Sequence, residues 1–231
     1  MLDGSAEFQL DACLSDLRAV VARVFEAQVP EISVDWEMSD RAISEIGGRI
    51  LEDFVLRHVA EVAAELPRKH SRSLTVNIPA SGRTVEDFRL LCKIGDSTSE
   101  LLVDIKGHNQ FRKGSRPNLA SLRKCRALYS NPSLVHQELV IFLCRYEPLV
   151  RRSRRRTQVR YQVSVQSFDD RHVIPIRWLG RRNLDPANIG SGGQLLLARE
   201  ESIIVERRSR ADFVRLLEEL GGRLVSRAVT P

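Results

Sequence analysis

Lysine is scarce in this 231-residue chain: five lysines (positions 69, 93, 106, 113 and 124) stand against 31 arginines. Aromatic residues make up only 6% of the chain. No stretch of 18 or more apolar residues occurs, which excludes a transmembrane helix as an expectation. Met1 to Glu7 carry neither a basic n-region nor a long apolar run, so no secretory leader is expected. The four cysteines (Cys13, Cys92, Cys125, Cys144) lack CxxC spacing, which argues against a zinc site and a disulfide framework. Buried thiols in a reducing, cytoplasmic setting are expected instead. The five histidines form no metal-spaced pair, and HExxH and GxSxG are both missing, so zinc-protease and hydrolase-elbow chemistry find no support. There is no internal repeat, no low-complexity segment and no linker long enough to divide the chain, so residues 1–231 are expected to form a single domain.

What is present begins with charge. The net charge is +6, a balance that suits a polyanionic partner without requiring one. Arginine offers a planar fork for phosphates and guanine edges, although a GC-rich coding sequence would enrich it equally well. More informative is where lysine survives: three of the five fall between positions 106 and 124.

Periodicity predicts a helix over residues 5–28, stopped by Pro30, and a second over 39–66, stopped by Pro67. Val29 to Ser39 reads as irregular. Gly47-Gly48, inside the second helix, marks either a close approach to another backbone or a break between two shorter helices. Leu74 to Ile78 and Val85 to Ile94 read as strands. A turn at Gly95 to Ser99 and a strand Glu100 to Lys106 follow, so the last two strands form a hairpin. Gly107 to Ser115 reads as a loop, Asn118 to Ser130 as a helix with Asn118 as a possible cap, and Leu139 to Tyr146 as a buried central strand. Arg151 to Arg156 is the densest basic cluster. Val159 to Val165 alternates as a half-buried strand, Val173 to Trp178 reads as a short strand and Asn183 to Gln194 as a glycine-rich loop. A C-terminal helix is predicted over 209–220, capped by Ser209. The sum is α/β: a mixed central sheet flanked by helices, with an N-terminal helical part (about 1–66), a sheet part (about 74–178) and a C-terminal loop and helix (about 179–231).

The stretch with the most chemistry is Leu101-Leu102-Val103-Asp104-Ile105-Lys106. Side chains alternate along a strand, so Asp104 and Lys106 point the same way. A carboxylate beside an ammonium at the end of a buried strand is costly to hold unless it is used. Asp87, on the hairpin partner, could share a hard cation such as Mg2+ with Asp104. Lys106 could orient a water or offset phosphate charge, and Glu52 or Glu45 could add a third acid from the helix. Asp96 is a rival to Asp87, disfavoured because it sits in the hairpin turn. A surface hairpin with an incidental ion pair would carry the same residues.

Asp87…Asp104-Ile105-Lys106 resembles the PD-(D/E)XK nuclease signature. Asp104-x-Lys106-x-x-Asn109, followed by Pro117-Asn118-x-x-Ser121-x-x-Lys124, is similar to the segment after the catalytic strand in HincII-like type II restriction endonucleases. Glu86 to Leu91 resembles the first catalytic-acid strand, and Ile50 to Val55 resembles the helix that brings an auxiliary glutamate; the likeness covers about residues 45–125. One departure is Glu86, which stands where the family usually has proline. The resemblance implies a PD-(D/E)XK-like fold and a site-specific endonuclease of a restriction system. It would cleave duplex DNA with Mg2+ as a homodimer, with no membrane and no small organic cofactor. The catalytic residues it implies are Asp87, Asp104, Lys106 and Glu52, and the metal ligands Asp87, Asp104 and Ile105. DNA contacts are expected from Asn109, Arg112, Lys113, Arg116, Asn118, Ser121 and Lys124, with Asn188 and Gln194 from the glycine-rich loop. The alternatives are a structure-specific repair or recombination nuclease of the same fold, and a non-catalytic DNA-binding regulator.

Overall fold

The structure is a computed structural model that describes residues 4–27, 31–34, 39–66, 72–80, 84, 86–109, 116–152, 159–165, 171–187, 193–199 and 202–229. Arg112, Lys113, Asn188 and most of the arginine cluster (153–156) lie outside these residues.

Two long helices come first: α1 (Gly4–Ala27) and α2 (Asp40–Glu65), with strand β1 (Glu31–Val34) between them. The segment expected to be irregular thus contributes a strand, because β1 finds an antiparallel partner more than a hundred residues away. Ser39 caps α2 by accepting from the Ala42 amide at 3.3 Å. Leu66 then leaves in extended geometry (φ −60°, ψ 133°), as the residue before a proline must. The helix runs through Gly47-Gly48 without interruption, so the two-helix alternative does not hold.

The main sheet follows the order β1-β7-β6-β4-β3-β2, with β8 (Val173–Pro175) also paired to β6. Strands β2 (Arg72–Asn77), β3 (Phe88–Ile94) and β4 (Ser97–Asn109) form an antiparallel meander. β4 then pairs in parallel with β6 (Gln137–Arg152), and β7 (Val159–Val165) returns antiparallel. A parallel pair needs a crossover, and α3 (Leu122–Ser130) supplies it. The sheet is therefore mixed and flanked by helices, as expected from the sequence.

Several boundaries differ from expectation. β3 begins at Phe88 rather than Val85, so Asp87 stands in a bend just ahead of it. β4 continues into the start of the expected loop, as far as Asn109. Asn118 does not cap a helix: Asn118–Ser121 is strand β5, and Ser121 caps α3 by accepting from the Lys124 amide at 3.4 Å. The expected strand Val173–Trp178 stops at Pro175 and tightens into a 3-10 turn. The expected glycine-rich loop contains strand β9 (Leu184–Ala187), and its last residue opens β10 (Gln194–Leu197); both join β5 in a second sheet of order β5-β10-β9. Pro186 is tolerated because β9 is an edge strand. The last helix, α4 (Arg210–Val229), runs past 220 through Gly221-Gly222.

Burial explains the central strands. Leu101, Leu102, Val103 and Ile105 of β4, and Leu139 to Cys144 of β6, are all buried, the pattern of strands covered on both faces. In the antiparallel hairpin Phe88 opposes Val103, and in the parallel pair Phe142 opposes Ile105, so these side chains share one face. That face meets the N-terminal helices: Phe25 of α1 packs edge-on against Phe142 and, tilted, against Phe54 of α2. Asp104 and Lys106 therefore face the other layer, formed by α3, α4 and the small sheet. All four cysteines are buried free thiols, and among the described residues no helix is long and apolar enough to cross a membrane.

Candidate active site

Asp104 is 4% exposed. Its Oδ1 accepts from Lys106 Nζ at 2.6 Å, and the lysine side chain is 24% exposed. The two therefore meet as the period-2 argument requires, with the ammonium nearer to solvent. Asp87 lies beside them. Its amide donates to the Val103 carbonyl at 2.8 Å, and its Oδ2 accepts from the Ile105 amide at 2.6 Å. The Asp87 side chain thus takes the place of the backbone partner that β3, whose register begins at Phe88↔Val103, does not provide.

Burial pushes the Asp104 carboxyl up to about 7, against the pull of Lys106, and neighbouring Asp87 pushes it further in the same direction. The field of this acid reaches α3: Cys125 is pushed up to about 12, first by burial and then by the Asp104 charge. The first turn of α3 also touches the segment that carries Asp87, because Lys124 Nζ donates to the Thr84 carbonyl at 3.3 Å. Asp87, Asp104, Lys106 and Lys124 are thus gathered at one end of the β3–β4 hairpin. The rival Asp96 is exposed in the turn at the opposite end, past the Ile94↔Ser97 pair.

Glu52 is placed differently. It lies on α2, which covers the Val103–Ile105 face of the sheet, and it pairs with Arg49 at 3.0 Å. Among the described residues no group of three or more His, Cys, Asp or Glu could hold a metal ion, so Glu52 is not brought into one with the two aspartates. Glu45 lies on the same helix. A third oxygen is nonetheless close at hand. In an extended strand the N–H and C=O of one residue leave the same edge, so the Ile105 carbonyl leaves β4 on the side where its amide meets Asp87. Two carboxylates and a carbonyl are the oxygen donors a hard divalent cation prefers, and on donor chemistry the residues fit Mg2+.

The expected DNA contacts fall mainly on the small sheet and α3. Asn118 is exposed on β5, Ser121 opposes Gln194 across the β5–β10 pair, and Arg116 precedes β5 and is ion-paired with Asp185 of β9. Asn109 ends β4 opposite Tyr146. A short-range reading of the sequence connects β5 with β4 but gives no sign that β10 pairs with β5, so the meeting of Gln194 with Ser121 is tertiary information.

One group escaped the sequence reading. Glu86 and Glu100 are both buried. Arg89 Nε donates to Glu86 Oε1 at 2.7 Å and its Nη1 donates to Glu100 Oε1 at 3.2 Å. The only signal was Glu86 standing in place of proline; nothing local ties it to Glu100, fourteen positions on. No protein-family model matches the chain, and no curated protein matches it.

Proposed function

We propose that the chain is a Mg2+-dependent endonuclease with a PD-(D/E)XK-like fold. In this reading it hydrolyses phosphodiester bonds of duplex DNA at a short palindromic sequence, within a restriction system. The observation that carries the reading is the packing of one nearly buried carboxyl, Asp104, against both a second carboxyl and a lysine where β3 gives out. Two acids and one ammonium in so little solvent are poorly satisfied by each other alone, and a cation would favour the ionised form that burial opposes.

Asp87, Asp104 and the Ile105 carbonyl would hold the ion, which would neutralise phosphate charge and make water acidic enough to attack at neutral pH. The chain's own groups do the rest. Lys106, held by Asp104 with its ammonium toward solvent, can orient the attacking water or offset charge on the phosphate. In this reading Lys124 holds a neighbouring phosphate as a point charge. Asn118, Arg116, Ser121 and Gln194 stand on the same layer. Asparagine suits an adenine edge and arginine a guanine edge, though reading by Arg116 requires it to leave Asp185. A two-fold homodimer would match a palindromic site.

The test is to incubate the protein with mixed plasmid or phage DNA and Mg2+ and examine the fragments. Discrete, reproducible bands are expected. The Asp104→Ala and Lys106→Ala variants should lose about 10³-fold or more in cutting rate while keeping the circular dichroism of the parent. A smear, or cutting confined to junctions, would move the reading to a repair nuclease, and bound but intact DNA would move it to a non-catalytic regulator.

A further inference from the structure

Asp87 precedes the ladder that orders β3, so something other than strand pairing must set its carboxylate. The bend before β3 is tied down from three directions. Thr84 Oγ1 donates to the Glu86 carbonyl at 2.9 Å, and Lys124 Nζ reaches the Thr84 carbonyl. The Glu86 carboxylate, 3% exposed, receives Arg89 through Nε at 2.7 Å and Nη2 at 2.6 Å. The third Arg89 nitrogen turns to Glu100, whose other oxygen accepts from Gln137 Nε2 at 2.7 Å. Register supplies the reason these groups meet. Arg89 opposes Leu102, so on its face of the sheet it lies between Glu100 and Asp104 of β4.

The chain Glu86–Arg89–Glu100–Gln137 therefore links the residue next to Asp87 to β4, which carries Asp104 and Lys106, and to the first residue of β6. Both nitrogens meet one oxygen, Oε1, so the guanidinium anchors the Glu86 carboxylate by two charge-assisted contacts at a single point. A grip one residue from Asp87 limits the backbone rotations that would swing its carboxylate off the Ile105 amide. We propose that Glu86, Arg89 and Glu100 form an ionic clamp of positioning residues that holds the Asp87 carboxylate against the Ile105 amide and beside Asp104. Its role in catalysis rests on the nuclease reading given above; the positioning itself does not.

The experiment reads the positioning directly. Residue-resolved amide hydrogen exchange is measured by NMR in chelator-containing buffer on the full chain and on Glu86→Gln, Arg89→Met and Arg89→Lys. The Ile105 amide, which donates to Asp87, is compared with the Leu143 amide, which donates to the His172 carbonyl in the same sheet. Glu86→Gln and Arg89→Met are expected to speed Ile105 exchange about 10-fold, the worth of one lost hydrogen bond, with Leu143 unchanged. Arg89→Lys, which keeps the charge but not the fork, is expected to fall between them and the parent. Unchanged Ile105 protection in Glu86→Gln would overturn the clamp. So would equal acceleration at Ile105 and Leu143, which marks a general loss of stability. A parent chain that cuts no DNA would overturn the nuclease reading and leave this comparison standing.

Discussion

At the scale of single residues, Asp104 is where burial and charge oppose each other most sharply. Its carboxyl is pushed up from 3.8 to about 7, so the folded protein binds a proton there that the unfolded chain has lost. The stability contributed by that proton is fully present below about pH 4 and is lost as pH rises to about 7. Without divalent cations the parent should lose stability over this window, on the order of 4 kcal/mol at most. Asp104→Asn should flatten that part of the pH profile, and denaturant unfolding at several pH values would check it. Equal slopes in parent and variant would mean that Asp104 titrates as an ordinary carboxylate. Asp104 and Lys106 were legible in the sequence because a period-2 rule needs only two positions. The choice of Asp87 over Asp96 also needed only the hairpin. The pairing of Glu52 with Arg49 could not be singled out, because the sequence alone does not say which face of the sheet α2 covers.

Among the elements, α3 and the small sheet carry the largest departures from expectation. Ser121 ends β5 and caps α3 at once, whereas the local sequence offered Asn118, an equally good capping residue, three positions earlier. Ser121→Ala should cost about 1 kcal/mol in a denaturant titration through the lost cap; an unchanged midpoint would show the cap to be idle. The C-terminal strands depend on one side chain. Asn183 is fully buried; its amide donates to the carbonyls of Ala198, Arg199 and Ser202, and its oxygen accepts from the Ile204 amide. Replacing it with alanine takes this shared partner from four part-buried backbone groups at once. Asn183→Ala should therefore destabilise the protein by about 2–3 kcal/mol, read as a lower melting temperature, and a shift of less than a degree would contradict the network. Nothing in Arg-Arg-Asn-Leu signals this role, since its partners lie fifteen to twenty-one positions downstream.

For the whole molecule, 36 basic against 30 acidic residues leave a net +6, and the layer that holds the site also presents Lys124 and Arg123 to solvent. If the proposed duplex partner is right, binding should weaken steeply with salt. Lys124→Ala should then lower the slope of log K against log salt by about 1, whatever the DNA sequence. Fluorescence anisotropy with a labelled duplex measures this, and an unchanged slope would remove Lys124 from the phosphate contacts. Cohesion has a second source on the same layer, a buried polar knot where Glu138 of β6 accepts from Tyr129 of α3 at 2.6 Å and from Arg177 at 2.9 Å. It fastens the crossover helix to the central strand.

Local pattern alone determined the two long N-terminal helices, the continuous apolar runs of β4 and β6, the β3–β4 hairpin and the shared direction of Asp104 and Lys106. Each follows from spacing within a few residues, where backbone geometry leaves little choice. Tertiary structure alone decided that β1 pairs with β7 and that β10 joins β5. It also decided that α2 covers the Val103–Ile105 face and that Glu86 reaches Glu100 through Arg89. Those outcomes depend on which distant segments meet, and that is set by packing across the two faces of the sheet rather than by neighbours along the chain.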